Sequence, residues 1–249
     1  HEVAKMQAID PDVIRRMIKQ EHVTAHRQRA MSPDHPVVRG TSQNPDVFFQ
    51  AREAANTYYD KVPGIVQDTM NEFYEHTGRR YSLFYYIGHP EAEKVIVIMG
   101  SGQGPVIEAV DTMVKNGEKV GAVIVRLFRP FSAEHLIAAV PATAKIITVL
   151  DRTKEPGAVG EPLYLDVVTA LREARETGVS NLAVDPMVVG GRYGLSSKEF
   201  APAHVKAVLD ELVRRLVGGK LTTEAQHLAQ MVNDIASGKY DGAIKELMG

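Results

Sequence analysis

The chain has 249 residues, a formal net charge of -2 and no cysteine, with 44% hydrophobic and 24% charged residues. This length allows one large domain with extensions and a sizeable core. A charge so near neutrality argues against a general nucleic-acid binder, which usually carries a basic excess. No apolar stretch approaches the roughly 20 residues of a membrane span, so no membrane partner is expected. Without cysteine, the chain holds no disulfide, cysteine-ligated iron–sulfur cluster or thiol nucleophile.

The first residues of the chain are unlike the usual start of an intact or a secreted protein. It begins at His1 instead of a methionine and carries no signal-peptide pattern. We therefore expect a piece of a longer protein and, because no other targeting signal is present, a cytoplasmic location.

Residues 1–80 are predicted to form a helical and irregular N-terminal extension. Asp10 and Pro11 have the residue types of a helix start, with an aspartate as N-cap and a proline at the first helical position. Apolar side chains recur at helical spacing through residues 46–77, and Pro63-Gly64 is expected to break or kink that helical region.

One histidine pair in this extension has the spacing of metal ligands. His22 and His26 are four residues apart and could share one helix face, as two ligands of a zinc site would. No third ligand accompanies them. Two solvated histidines on a polar helix are therefore the favoured interpretation, and no metal site is predicted.

Residues 81–217 are predicted to form an α/β domain. Short apolar runs alternate with helical patterns, which implies right-handed βαβ units and a parallel sheet buried on both faces. The fold class is therefore an open, mostly parallel sheet with helices on both faces, followed by a C-terminal helical tail over residues 218–249. The predicted strands are 94–99, 119–127, 145–150 and 182–189, and the predicted helices are 105–116, 132–140, 161–175 and 197–217.

A glycine-rich turn over Gly100–Gly104 stands where a dinucleotide fold would hold its pyrophosphate. The glycines do not fit the G-x-G-x-x-G spacing, and Arg126 and Arg129 stand where an acidic residue would bind the ribose. A tight turn is favoured over a nucleotide site. The P-loop, the nucleophile elbow and the Gly-Asp-Gly run of thiamine enzymes are also absent, so no catalytic, cofactor-binding or metal residue is predicted.

Three charged or glycine-rich loops are expected to converge on one edge of the sheet, because the carboxyl ends of parallel strands meet there. They follow the second, third and fourth predicted strands, over residues 126–131, 151–157 and 190–194. These arginines could form structural ion pairs, bind an anionic ligand or dock another domain. We favour docking, because arginine suits interface ion pairs. The candidate docking residues are Arg126, Arg129, Asp151, Arg152 and Arg192.

Four long strings of this sequence are hard to explain as generic α/β sequence: NPDVFFQAREA at 44–54, RLFRPFSAE at 126–134, VLDRTKEPGAVGEPLYL at 149–165 and VGGRYGLSSKEF at 189–200. Together, and in this order, they resemble the pyruvate:ferredoxin (flavodoxin) oxidoreductase family. The resemblance covers roughly residues 1–213 and fades after residue 217. It implies the end of a first domain followed by a second domain that is similar to the C-terminal domain of transketolases.

What this resemblance implies is a structural role within a larger enzyme. Members of the family oxidise pyruvate with coenzyme A to acetyl-CoA and carbon dioxide, using thiamine diphosphate, Mg²⁺ and [4Fe-4S] clusters, and pass electrons to ferredoxin or flavodoxin. The second domain is mainly architectural in that family. The leading hypothesis is therefore a non-catalytic assembly domain whose partners are the remaining domains or subunits of the oxidoreductase.

Two other functions stay open at this level. One is a ligand-binding α/β module that senses coenzyme A, a nucleotide or an organic acid at the 100–104 turn and the arginine loops. The other, with least support, is an independent enzyme.

Overall fold

The computed structural model describes residues 6–218, with side-chain surroundings described as far as residue 212. The chain divides into two compact units, the first ending at Ser82 and the second beginning at Leu83. The domain bounds 1–80, 81–217 and 218–249 stay predictions, and the predicted tail beyond Gly218 lies outside the described residues. Within residues 6–218, no helix has the length and apolar character needed to cross a membrane.

The first unit consists of helices joined by loops. Asp10 caps the first helix as predicted, because its carboxylate accepts the backbone N–H of Asp12 at 2.8 Å. Val13, on the same helix, is buried. The helices are α1 Pro11–Met17, α2 Gln20–Gln28, α3 Pro45–Ala54, α4 Asn56–Tyr59 and α5 Val62–Thr77.

The predicted break at Pro63-Gly64 is wrong in position. Pro63 lies in the first turn of α5, where the missing backbone N–H of proline has no helical partner to lose. The interruptions fall earlier, between α3 and α4 and between α4 and α5. Proline therefore starts the long helix instead of kinking it.

The second unit is built around one five-stranded sheet. Its strands are β1 Phe84–Gly88, β2 Lys94–Met99, β3 Val120–Val125, β4 Ile146–Asp151 and β5 Met187–Arg192, in the spatial order β1-β3-β2-β4-β5. The last four are parallel to one another, and β1 alone is antiparallel to its neighbour β3. The helices are α6 Gln103–Lys115, α7 Ala133–Ala139, α8 Pro162–Glu176 and α9 Pro202–Gly218. The predicted α/β class with an open, mostly parallel sheet is confirmed.

Both faces of the sheet are buried, as continuous apolar strands require. Ile96 and Ile98 of β2 belong to a core cluster with buried residues of α6 and α9. Val95 and Val97 point to the opposite face and are equally buried. Helices α7 and α8 pack against each other, and α8 packs on β4.

Two strands differ from the prediction. The sequence pattern missed β1, a short edge strand in which Phe84 pairs with Val125 and Tyr86 lies against Gly121. A Cβ at Gly121 would clash with the Tyr86 hydroxyl, so the glycine leaves the space that the tyrosine side chain occupies. The last strand was predicted at 182–189 but spans Met187–Arg192. It continues past the predicted end because Gly190 and Gly191 pair with β4.

Candidate functional site

The site lies at the carboxyl edge of the parallel strands, within the second unit. A short helical turn, Gly100–Gly102, follows β2, and the segment 126–131 follows β3. The predicted loops at 151–157 and 190–194 begin inside strands, because they include the last residues of β4 and β5. Arg152 joins three of these segments. Its Nη1 donates to the Ser101 hydroxyl at 2.6 Å and its Nε donates to the Gly194 carbonyl at 3.0 Å. The arginine after β4 is therefore hydrogen-bonded within its own sheet edge.

Tyr193 fills the space beside the glycine turn. The side chain is buried, and its hydroxyl donates to the Met99 carbonyl at 3.0 Å. Burial raises the pKa of the Tyr193 phenol, which keeps it protonated as that donor. A Cβ at Gly102 would lie 2.6 Å from the tyrosine ring, so the absence of a side chain at this glycine serves close packing. This geometry agrees with the predicted tight turn, because the tyrosine ring occupies the space beside Gly102.

Asp151 faces inward and caps α8. Its two carboxylate oxygens accept the backbone N–H groups of Leu163 and Tyr164 at 3.0 and 3.1 Å. Burial raises the pKa of Asp151, and the nearby carboxylates of Glu161 and Asp166 raise that pKa further. The two backbone hydrogen bonds lower it. Asp151 is fully buried, so its carboxylate contacts other residues of the fold and is not exposed on the surface.

Glu161 and Arg192 form a largely buried ion pair at the same edge. The Glu161 side chain is 4% exposed and that of Arg192 is 24% exposed. The other oxygen of Glu161 accepts the backbone N–H of Glu155 at 2.7 Å. One carboxylate thus ties the start of α8 to both β5 and the loop after β4.

The two arginines after β3 are arranged differently. Arg129 is 55% exposed, donates to Asp166 at 2.6 Å, and places its guanidinium 3.9 Å from the ring centre of Phe128. Arg126 lies with its guanidinium 5.5 Å from the ring centre of Tyr85. The structure therefore gives Asp151, Arg152 and Arg192 internal contacts, and Arg129 stays 55% exposed while it pairs with Asp166. A docking role for any of the five stays a prediction.

Glu161 and Tyr193 were missed as important positions by the sequence interpretation. Both lie inside strings that carry the family resemblance, at 149–165 and 189–200. An apolar-rich strand end followed by an aromatic residue gives no local signal of a partner 94 residues away, which is the separation between Tyr193 and Met99.

The described residues hold no cluster of metal ligands. His22 and His26 lie on α2 and are exposed. Between residues 6 and 218, no group of three or more histidine, aspartate or glutamate side chains could hold a metal ion.

Known proteins match this chain in both of its units. Residues 92–193 match the family described as pyruvate:ferredoxin oxidoreductase core domain II, and residues 1–71 match the thiamine diphosphate-binding family of pyruvate flavodoxin/ferredoxin oxidoreductases. A pyruvate-flavodoxin oxidoreductase of Rhodospirillum rubrum is 58% identical over 214 residues, which is 86% of this chain and 18% of that protein. One of Trichormus variabilis is 53% identical over 237 residues, 95% of this chain and 19% of that protein.

A solved structure shows a weaker similarity. A chain of the 2-oxoglutarate:ferredoxin oxidoreductase from Magnetococcus marinus aligns with a TM-score of 0.34 and 18% identity, over 60% of this chain and 22% of that chain. A similarity this low supports no argument.

Together, the parallel α/β unit and the matches in both units correspond to one segment of the large oxidoreductases that this chain resembles. The chain spans under a fifth of the length of the two relatives described above. The chain belongs to the pyruvate:ferredoxin (flavodoxin) oxidoreductase family, which confirms the resemblance read from its strings.

The buried carboxyl of Asp151 predicts a pH dependence of stability. Its pKa in the folded state lies above the ordinary value of 3.8, so the folded state binds this proton more tightly than the unfolded state. Ionisation of Asp151 therefore costs stability as the pH rises from about 3.8 through the raised pKa. Compared with Asp151→Asn, which cannot ionise, the native chain should lose relative stability over that pH range.

Urea unfolding of both proteins from about pH 4 to about pH 8 would measure this difference. The variant itself should be less stable by about 1 kcal/mol, because an amide offers one acceptor where the carboxylate offers two. Asp111→Asn, at an exposed position of α6, controls for the general loss of one carboxylate. A native advantage that grows with pH would contradict the assignment.

Proposed function

We propose that the chain is a non-catalytic, structural part of a thiamine-dependent oxidoreductase that acts on pyruvate or another 2-oxoacid. The whole enzyme would use coenzyme A and produce an acyl-CoA and carbon dioxide. One observation carries the structural role. The sheet edge where α/β proteins usually bind ligands is filled by the chain's own Tyr193, Arg152 and the Glu161–Arg192 pair.

The chemistry of that enzyme would reside in its other domains or subunits. The chain has no cysteine, so the cysteine ligands of [4Fe-4S] clusters must come from elsewhere. Thiamine diphosphate, Mg²⁺ and coenzyme A would belong to the whole enzyme, with ferredoxin or flavodoxin as electron acceptor and the cytoplasm as location. The ligand-sensing alternative gains no support from an edge closed by a buried tyrosine.

A structural domain would contribute to catalysis by positioning the domains that react. Misplacement of reacting groups by about 1 Å can cost on the order of a hundredfold in rate. A rigid sheet edge with internal ion pairs suits this task, because it holds its loops in one arrangement without a ligand.

Co-purification from the source organism tests the proposal. The tagged chain would be recovered from lysate, and the eluate assayed for viologen reduction that requires both a 2-oxoacid and coenzyme A. Recovery of that activity with iron-containing partner polypeptides supports the proposed function. Recovery of the chain alone, or with unrelated proteins, would reject it.

The two arginines after β3 provide a prediction for assembly. Replacing Arg126 and Arg129 together with glutamine should weaken association with the rest of the enzyme by about tenfold, as expected when an interface loses charged anchors. Size-exclusion chromatography of the complete enzyme, with viologen reduction on the same fractions, measures the effect.

A matched control removes the same charge elsewhere. Arg172 and Lys206 form exposed pairs within α8 and α9, with Glu176 and Asp210 as their partners. Replacing both cations with glutamine should leave assembly unchanged, because exposed pairs of this kind contribute little. Equal effects of the two double variants would remove the docking role.

A further inference from the structure

The loop between β4 and α8 carries an apolar side chain at its tip. We call residues 152–160 the finger. Val159 within it is 95% exposed, and its neighbours from Lys154 to Ala158 are exposed as well. A single exposed valine is ordinary on a protein surface and carries no inference alone. The way in which this loop is held gives the valine its significance.

Two contacts fix the finger on the side before Val159. The Ala158 N–H donates to the Glu155 carbonyl at 3.1 Å, which closes a turn with Pro156 and Gly157 at its centre. Gly157 has a φ of +81°, the value that the third residue of a type II turn requires, and proline favours the position before it. The turn itself is tied down, because the buried Glu161 carboxylate accepts the backbone N–H of Glu155.

The finger is also fixed on the side after Val159. Gly160 is buried, and a Cβ there would lie 2.4 Å from the Tyr164 ring. Val159 is therefore presented between a closed turn and a tightly packed glycine. A side chain held in this way loses little conformational freedom on binding, which is the condition under which a small contact contributes affinity.

We infer that the finger is a preformed docking element whose valine enters an apolar socket on another domain or subunit of the same enzyme. This inference rests on the proposed structural role. The matched relatives are more than five times as long as the matched segment, so most of the surface available to this loop belongs to other parts of the enzyme. The socket should have a polar rim, because Lys154 and Glu155 flank the turn and their side chains form no ion pair with the described residues.

A second copy of the chain is a weaker occupant. The described part of the chain has an open groove of about 630 Å³ between α7 and α8, with Ile137 and Val179 in its lining. A finger entering that groove on another copy would make a head-to-tail contact, which leads to rings or open chains. The finger and the groove lie in different places, so such a contact would not be the self-complementary patch of a two-fold dimer.

Site-specific photocrosslinking in the complete enzyme tests the finger. A benzophenone amino acid replaces Val159, or Val179 as the control, since Val179 is a valine that is 68% exposed in the same unit. We expect about tenfold more cross-linked product from position 159, mapped by mass spectrometry to polypeptide outside residues 1–249. Product no greater than at position 179, or product joining two copies of this chain, overturns the inference.

A second pair of variants measures the consequence for assembly. Val159→Asp should weaken the association of this chain with the rest of the enzyme by about tenfold, and Val179→Asp should not change that association. Both positions are exposed, so neither aspartate buries a charge in the fold, and equal effects would also overturn the inference. Viologen reduction on the same preparations separates the two proposals. Cross-linking without 2-oxoacid-dependent activity retains the finger and rejects the proposed function, whereas activity without cross-linking does the reverse.

Discussion

Replacing Glu161 with alanine is expected to destabilise the second unit by about 3 kcal/mol. The change leaves the largely buried Arg192 guanidinium without its carboxylate and the Glu155 N–H without its acceptor. Removing one partner of a buried ion pair is costly for this reason, because the remaining charge stays desolvated. Urea unfolding of the chain, followed by circular dichroism, should show a lower midpoint with an unchanged slope.

Two further variants make this prediction specific. Glu173→Ala, at an exposed position of the same helix, should change stability by no more than about 0.5 kcal/mol. Adding Arg192→Leu to Glu161→Ala should restore part of the lost stability, because it removes the uncompensated charge. Full additivity of the two substitutions would mean that Glu161 and Arg192 do not interact in solution.

Replacing Gly102 with alanine should cost about 2 kcal/mol or more. The new methyl group would lie 2.6 Å from the Tyr193 ring and 2.7 Å from the Ile98 side chain. Neither neighbour can yield easily. Tyr193 is hydrogen-bonded to Met99 and packs against Phe200 with 4.5 Å between ring centres, and Ile98 is fully buried.

The same glycine-rich turn supplies the control for this prediction. Gly104 lies in α6, and a Cβ there would meet no atom within 4 Å. Gly104→Ala should therefore be neutral or stabilising by up to about 1 kcal/mol, because alanine is the better helix former. If Gly102→Ala unfolds at the native midpoint, the tyrosine does not pack on this turn as described.

These results would distinguish an architectural edge from a ligand site. In a ligand site, glycines and arginines at the strand ends contact the phosphate or carboxylate groups of the ligand, so substituting them chiefly affects ligand binding. Here Gly102, Arg152 and Arg192 contact other residues of the same unit. Substitutions at these positions should therefore affect folding first.

The sequence by itself determined the fold class and the family. Strand β2 was predicted at 94–99 and is observed at Lys94–Met99, because a strand buried on both faces is a continuous apolar run that local reading detects. The start of α7 was equally readable, since Ser132 is the N-cap and accepts the His135 N–H. Helix caps and apolar runs depend on residues only a few positions apart, so they can be predicted from a short stretch of sequence.

Only the tertiary structure decided the edge strand β1 and the partners of the arginines. Strand β1 is defined by its antiparallel pairing with β3, about 40 residues further along the chain, and its own five residues lack a continuous apolar pattern. Arg129, Arg152 and Arg192 find partners 37, 51 and 31 residues away. The sequence could place these cations at the strand ends, but the strand order and the path of each loop determine which groups they meet. Whether an arginine is available to another domain is for that reason a property of the folded edge, and Arg129 stays 55% exposed beside its partner Asp166.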